Sequence, residues 1–357
     1  MHAAQWRALQ LARVTRYAGR MLLSRLRGSP VLMLANLYPT HRCNLRCTYC
    51  NSPFKHTPEL TTAQWLRVID ELADLGCRRV LILGGEPLLR PDIAEFIERI
   101  KTRGMSCVLT SNGLLVARRI RELRGLDTLV LSLDAVGRAN DAVRGDGVFA
   151  GVQEALLAAQ GIGLPVKINA VLSAVTAPHL NALLDFVAQH DLSITINAMR
   201  SGAPDLWRDA ASIKAADGEI AQTLERLATL SRTNRRVLFA SATYRYAARW
   251  ADYARDRLQA DEVAADDPRV RNGPRCQAGR YYLSINPDGT TYPCTITVDR
   301  LPGGNVVTDG VEAAWRKLHH HPCVACYAPC LVEQNYLFSL HLPTLLNFAA
   351  KHLGRYA

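Results

Sequence analysis

The sequence predicts an α/β protein: a partial (β/α)6 TIM-like barrel followed by a small cysteine-rich β-hairpin/helix domain. Three observations lead there. Residues 31–200 alternate six short β-rich runs with five helical patterns. Short polar motifs fall where the β-rich runs end. Eight of the ten cysteines form two groups, one early and one late in the chain.

Strands are expected at 31–38, 79–83, 106–110, 128–133, 166–172 and 193–198, with helices near 62–75, 92–103, 116–124, 148–160 and 178–190. Strands joined through helices pair in parallel by right-handed crossovers. A closed eight-stranded barrel needs about 250 residues, whereas roughly 170 are used here, so an open barrel fits better. "CNLRCTYC" (43–50) follows the first strand, "GGEP" (84–87) the second and "TSNG" (110–113) the third. "SLD" (132–134) ends the fourth, and Asn169 lies in the fifth. Parallel α/β folds place ligands at the carboxyl ends of their strands. Five such motifs in succession therefore mark one site.

Beyond residue 200 the chain reads as helices and polar connections to about 270. Then "YYLSINPDGTTYPC" (281–294) alternates and turns at Asn286-Pro287-Asp288-Gly289, a hairpin signal. The expected division is a basic helix (1–30), the barrel (31–225), a helical connection (226–270), the cysteine-rich domain (271–335) and an apolar tail (336–357).

At 357 residues and 48% hydrophobic, the chain can bury a sizeable core. No apolar run reaches the length of a membrane span, and the tail carries His341 and Pro343. Arginines at 7, 13, 16 and 20 interrupt any signal-peptide core. The reading is cytoplasmic. The net charge of +11 is localised: residues 1–58 hold nine Lys or Arg and no Asp or Glu. Trp6, Leu9, Val14, Tyr17, Met21 and Leu26 recur there near helical spacing. Such a segment either caps its own domain or lies on anionic lipid at the inner face of the membrane through residues 1–28. It lacks the aromatic interleaving of a base-stacking platform, which argues against nucleic acid.

In a reducing compartment, ten cysteines point to metal binding or catalysis rather than disulfides. Cys77 and Cys107 stand alone beside strands and read as core residues. Cys43, Cys47 and Cys50 have C-x3-C-x2-C spacing. A closed zinc site needs four ligands, usually as paired C-x2-C knuckles, and His41 is the one neighbour able to add a fourth. Three thiolates on a [4Fe–4S] cluster instead leave one iron open.

The C-x3-C-x2-C spacing, with Tyr49 before the last cysteine, resembles the radical S-adenosylmethionine (radical SAM) enzymes. The resemblance covers about residues 31–200. It implies that SAM chelates the open iron and is reductively cleaved to a 5′-deoxyadenosyl radical that abstracts a substrate hydrogen. It implies a one-electron donor such as flavodoxin or ferredoxin. Gly84, Gly85, Glu86 and Pro87 match the family motif that meets the SAM amino group. Asn112 and Ser132 become candidates for its ribose or carboxylate, and Asn169 matches a ribose-facing position. Arg144 in "VRGDG" could clasp the carboxylate through a bidentate fork, and Asp134 is a loop cap or a ligand.

In the later group, Cys276 is followed by Gly289, Cys294 and then Cys323-x2-Cys326-x3-Cys330. This looks like the SPASM/twitch extension of the same enzymes, whose fuller form uses seven cysteines for two clusters. Five cysteines imply one auxiliary [4Fe–4S] cluster on Cys276, Cys294, Cys323 and Cys326, with Cys330 as an alternative to one of the last two; a closed zinc site is the competing reading. His319, His320 and His321 read as surface residues.

The substrate stays open: hydrophobic or lipid-like, given the basic start and apolar tail; a small molecule; or a ribosomally made precursor peptide, as in many SPASM/twitch enzymes. A non-enzymatic iron–sulfur or zinc protein with a nucleic-acid-binding arm is the alternative of another class.

Overall fold

In a computed structural model that describes residues 19–200, 210–264 and 266–353, the six β-rich runs fold as β1 (Leu34–Leu37), β2 (Arg79–Ile82), β3 (Ser106–Ser111), β4 (Thr128–Ser132), β5 (Val166–Leu172) and β6 (Ile194–Ala198). All pair in parallel with their sequence neighbours. β7 (Arg257–Gln259), β8 (Tyr282–Ile285), β9 (Thr291–Tyr292) and β10 (Cys323–Cys326) follow. The main sheet runs β6-β5-β4-β3-β2-β1-β8-β9. β8 lies parallel to β1, with Leu34 opposite Tyr282, so the C-terminal hairpin continues the barrel sheet. β10 and β7 form a separate antiparallel pair.

The helices are α1 (19–26), α2 (Thr62–Asp74), α3 (Ile93–Thr102), α4 (Val116–Arg119), α5 (Arg138–Arg144), α6 (Val148–Gly161), α7 (Leu180–Gln189), α8 (Asp217–Thr233), α9 (Ser241–Ala248), α10 (Pro268–Arg271), α11 (Val311–Arg316), α12 (Pro329–Phe338) and α13 (Leu342–Leu353). Their faces explain their positions. α3 buries Ile93, Phe96, Ile97 and Ile100, an i, i+3, i+4, i+7 stripe against the sheet. α2 starts with a capping box between Thr61 and Gln64. α5 ends on Val143 and Arg144 of "VRGDG", and Gly145 caps it. The "apolar tail" takes in the end of α12 and all of α13; residues 354–357 of it, like residues 1–18 of the expected basic helix, lie outside the described residues.

One sheet face is the core: Ala35, Leu37, Val80, Ile82, Leu109, Leu131, Ile168 and Ile196 pack under the helices, joined by Cys77 and Cys107 at 0% exposure. Alternation turns the intervening residues to the inner face. There Thr110, Ser132, Asn169, Thr195 and Asn197 are half-buried.

α12 and α13 are pinned to the helical connection by two buried ionisable groups. Glu333 accepts from the Ala240 amide at 2.9 Å and from the Thr243 hydroxyl. Lys351 Nζ donates to Ser231 O and Val237 O. Burial raises Glu333 to about 7. Because the folded value lies above the unfolded one, its contribution is present below about pH 4.5 and is lost as pH rises through about 7. Unfolding free energy should fall across that window in denaturant titrations, and Glu333→Gln should flatten the slope. An equally steep slope in the variant would refute the assignment.

Candidate active site

The strand-end motifs converge on the loop that leaves β1. Its path is fixed from below: Arg90 donates to Pro39 O (3.2 Å), Leu60 O (3.2 Å) and Glu59 (3.3 Å), and forms a fork on Asp92 (2.6 and 2.9 Å). Arg42 forks onto Glu59 at 2.9 and 3.1 Å, and Thr40 donates to the same carboxylate. These braces carried no recognisable motif in the sequence.

The glycine pair of "GGEP" supports the loop from the side. The Gly85 amide donates to Thr40 O (2.9 Å) and the Glu86 amide to Arg42 O (2.8 Å). A Cβ on Gly85 would lie 2.2 Å from Arg42 O and 2.3 Å from His41 O; one on Gly84 (φ +134°) would lie 2.5 Å from Thr40 O. The close approach that demands glycine here is therefore that of the cysteine loop's own backbone. Glu86 is fully buried and accepts from Asn112 N (2.8 Å), Ser111 Oγ (3.0 Å) and Leu88 N (3.1 Å). Burial raises it to about 7, against these stabilising hydrogen bonds. Its side chain ties the ends of β2 and β3 together. Pro87 opens the short 3-10 turn that follows.

Asn112 reaches the loop directly, its Nδ2 lying 2.8 Å from Asn44 Oδ1 and 3.8 Å from Cys43 Sγ. On the far side Thr48 N donates to Val143 O (2.9 Å), and Cys47 Sγ lies 3.8 Å from Arg144 O. Between them stands a buried triad. Tyr49 donates its hydroxyl to Asp134 (2.7 Å), Arg144 forks onto the same carboxylate (2.7 and 3.0 Å), and Val171 N donates to it at 2.8 Å. Asp134 is 0% and Arg144 7% exposed. The bidentate fork expected for a SAM carboxylate is thus filled by Asp134, because a buried guanidinium is stable only when paired. Tyr49 likewise turns into this triad, beneath the Arg144 cation 5.7 Å from its ring centroid.

Ser132 and Asn169 stand opposite each other in register on the inner face. Asn169 Oδ1 accepts from Thr195 Oγ1 and Asn197 Nδ2, both at 3.0 Å. Asn197 in turn accepts from the Cys330 amide at 3.1 Å. This polar row runs from the cysteine loop's side of the barrel to α12.

The second group of cysteines surrounds a small cavity. Cys276, Cys294, Cys323 and Cys326 all line it, together with Arg257, Thr297 and His321; Cys330 does not. β10 presents Cys323 and Cys326 at its two ends, paired with β7 through a bulge. His321 is not a surface residue: Nε2 lies 2.9 Å from Ala278 O, and Nδ1 accepts from the Cys323 amide. His319 is half-buried against Trp315, at 4.8 Å, leaving only His320 exposed.

Do these residues suit clusters or single ions? Among the described residues, no three His, Cys, Asp or Glu groups gather closely enough for one ion. His41 sits by Ser52, not among the thiols. Burial raises Cys43 to about 11 and Cys47 to about 12, so binding a metal must displace protons from them. Four cysteine thiols lining one cavity are the soft donor set that suits an iron–sulfur cluster.

Family models match the radical SAM superfamily at residues 37–187 and an iron–sulfur cluster-binding domain, SPASM, at 276–335. A protein of Streptomyces rochei named PqqA peptide cyclase is 30% identical over 81% of this chain and 76% of its own length. The chain belongs to the radical SAM superfamily. Mycofactocin maturase MftC of Mycobacterium ulcerans is 31% identical over 78% of this radical SAM enzyme and 72% of itself. Two solved structures share the fold: Streptococcus suis SuiB bound to precursor peptide SuiA (TM-score 0.62, 19% identity, 84% of this chain and 68% of that one) and anSMEcpe with bound AdoMet (TM-score 0.60, 16% identity, 88% and 98%). Membership brings a [4Fe–4S] cluster with SAM, and the SPASM domain brings further iron–sulfur chemistry.

Proposed function

We propose that this radical SAM enzyme modifies a ribosomally synthesised precursor peptide, using one auxiliary [4Fe–4S] cluster. The carrying observation is that peptide-acting relatives align along some three quarters of their length. The geometry supports it. The main sheet is open between its terminal strands β6 and β9, and its inner face is polar at Thr110, Ser132, Asn169, Thr195 and Asn197.

In this reading Cys43, Cys47 and Cys50 hold the first cluster. Asn112 and the Gly84–Pro87 turn keep their loop in place, while Ser132 and Asn169 face the ribose side of SAM. Bound there, the cluster supplies the electron that cleaves SAM and starts hydrogen abstraction. The Tyr49–Asp134–Arg144 triad fixes the loop's far wall. Cys276, Cys294, Cys323 and Cys326 hold the auxiliary cluster. An electron donor of the flavodoxin or ferredoxin type completes the system.

The test is anaerobic reconstitution with SAM, dithionite and a precursor peptide encoded beside the gene. A peptide lighter by a pair of hydrogens, with 5′-deoxyadenosine formed alongside, is expected. Replacing Cys43, Cys47 and Cys50 by alanine should abolish both and halve the iron from about eight to about four per chain. Deoxyadenosine without any peptide change would remove the peptide reading.

A second reading, a hydrophobic substrate met at a membrane surface, has its own support. Residues 1–58 and 334–357 contain no Asp or Glu. Their helices meet where Arg25 donates to Phe338 O (2.8 Å). Leu22, Leu23 and Leu26 on α1, and Leu342 and Leu346 on α13, are 49–76% exposed. No helix among the described residues is long and apolar enough to cross a membrane. Co-sedimentation with anionic vesicles is expected, weakening with salt as exposed charge is screened. Binding undiminished in Leu22→Ser/Leu26→Ser would remove this surface.

A further inference from the structure

The two loops that hold the first cysteine loop run on into a surface groove. Leu88 and Leu89 follow Glu86 and Pro87, while Leu115, Arg118 and Arg119 follow Asn112. These five residues and Glu122 line one open groove. Arg119 ties its walls together, donating to Leu88 O, to Arg90 O at 2.7 Å and to Glu122 at 2.8 Å. Leu88 and the neighbouring Val116 are rooted in the core beneath the helices. The groove therefore opens on the helix side of the sheet, away from the polar inner face.

Its rim is basic. Residues 116–125 hold Arg118, Arg119, Arg121 and Arg124 against a single acid, Glu122, which Arg119 already engages. Arg118, Arg121 and Arg124 are exposed and form no ion pair or hydrogen bond among the described residues. Unpaired cations on one short segment attract an acidic partner and speed its encounter. An apolar floor with an arginine rim has the make-up of a protein–protein contact, and redox encounters lie at the small end of such interfaces. The groove is also close to the first cysteine site. Asn112 Nδ2 lies 3.8 Å from Cys43 Sγ, and three residues of chain from Asn112 to Leu115 span at most about 11 Å.

We propose that this groove, with Arg118, Arg121 and Arg124 at its rim, docks a small acidic electron-carrier protein that reduces the first cluster. The inference rests on the reading that Cys43, Cys47 and Cys50 hold that cluster. One electron leaves the carrier's reduced centre and enters the cluster; the carrier is oxidised by one electron, and no atom changes hands. The leucines supply the apolar contact, and the arginines draw in and orient the carrier. Because the groove lies on the helix side, the inner face stays free, so carrier and substrate bind at the same time.

The test uses the reconstituted full-length protein and a purified acidic flavodoxin. Binding of the oxidised flavodoxin is measured directly, and 5′-deoxyadenosine formation is driven either by reduced flavodoxin or by dithionite. Arg118→Glu/Arg121→Glu/Arg124→Glu should weaken binding and slow flavodoxin-driven formation by about tenfold or more, with iron content and dithionite-driven formation at parent values. Added salt should weaken binding to the parent far more than to this variant. The matching triple lysine variant, which keeps the charge, should stay within about twofold of the parent. Arg232→Glu/Arg235→Glu, at exposed arginines by the end of α8, is the control and should behave as the parent. If the triple glutamate variant loads iron poorly, the milder Arg121→Gln should still weaken binding at full iron. Flavodoxin binding that is absent in the parent, unchanged in the glutamate variant, or equally reduced in the control would overturn the proposal. So would an equal loss in the dithionite reaction at full iron, which would place the arginines in the service of the site itself. A parent that forms no deoxyadenosine with dithionite would instead overturn the reading of the first site.

Discussion

Asp134→Ala is expected to destabilise the protein by about 3–5 kcal/mol, among the largest effects of any single substitution in the barrel. The change removes the partner of a 7%-exposed arginine and also an acceptor of the Tyr49 hydroxyl and of the Val171 amide. An uncompensated buried charge dominates such a loss, and the lost hydrogen bonds add to it. The argument predicts a non-additive pair. Arg144→Met in the Asp134→Ala background should recover much of the stability, because it deletes the orphaned cation. Chemical denaturation of the two single variants and the double variant gives the coupling energy. If Asp134→Ala alone costs under about 1 kcal/mol, the triad is peripheral, and its role in holding the cysteine loop fails.

Gly85→Ala should be comparably severe, by a different route. The added methyl meets two backbone carbonyls at 2.2 and 2.3 Å, neither of which can rotate away as a side chain would. Relief requires the loop carrying Cys43 to move off β2. Overpacking of this kind costs about 3 kcal/mol or more. The expected signature is selective: iron at the first site is lost while the SPASM-domain iron stays, so content falls to about half. Full iron in Gly85→Ala would show that the glycine is dispensable to the loop, and that the motif acts solely through whatever it binds.

Much of the barrel was legible in the sequence because its signals are local. β5 folds over Val166–Leu172, the span its β-branched run implies, and the helical stripes of α2, α3 and α6 fall where their apolar periods do. The first cysteine motif was visible for a similar reason: the spacing of Cys43, Cys47 and Cys50 is written along one segment. What escaped was non-local. Nothing near Arg144 announces that Asp134, Tyr49 and Arg144 meet, so a buried ion pair read as a free fork. The histidines at 319–321 look like a polar run, yet chain reversal before β10 turns one of them into the cavity wall. The pairing of β8 with β1 and the convergence of Arg200, Arg257 and Arg300 on Asp256 depend on tertiary arrangement that no short-range period encodes.

The union of β8 with β1 has a consequence for how the molecule is made. Asn36 and Ser284 touch across it although 248 positions apart in the chain. During synthesis β1 therefore waits, with one side unpaired, until almost the whole chain has left the ribosome, and such an open edge invites pairing with other molecules. The strand that leads into the first cysteine loop is finished by the hairpin that leads into the second cavity. A protein truncated before residue 276 should thus be more than an enzyme lacking one cluster: it should be a sheet with an uncovered flank, prone to aggregate before it can be loaded with iron.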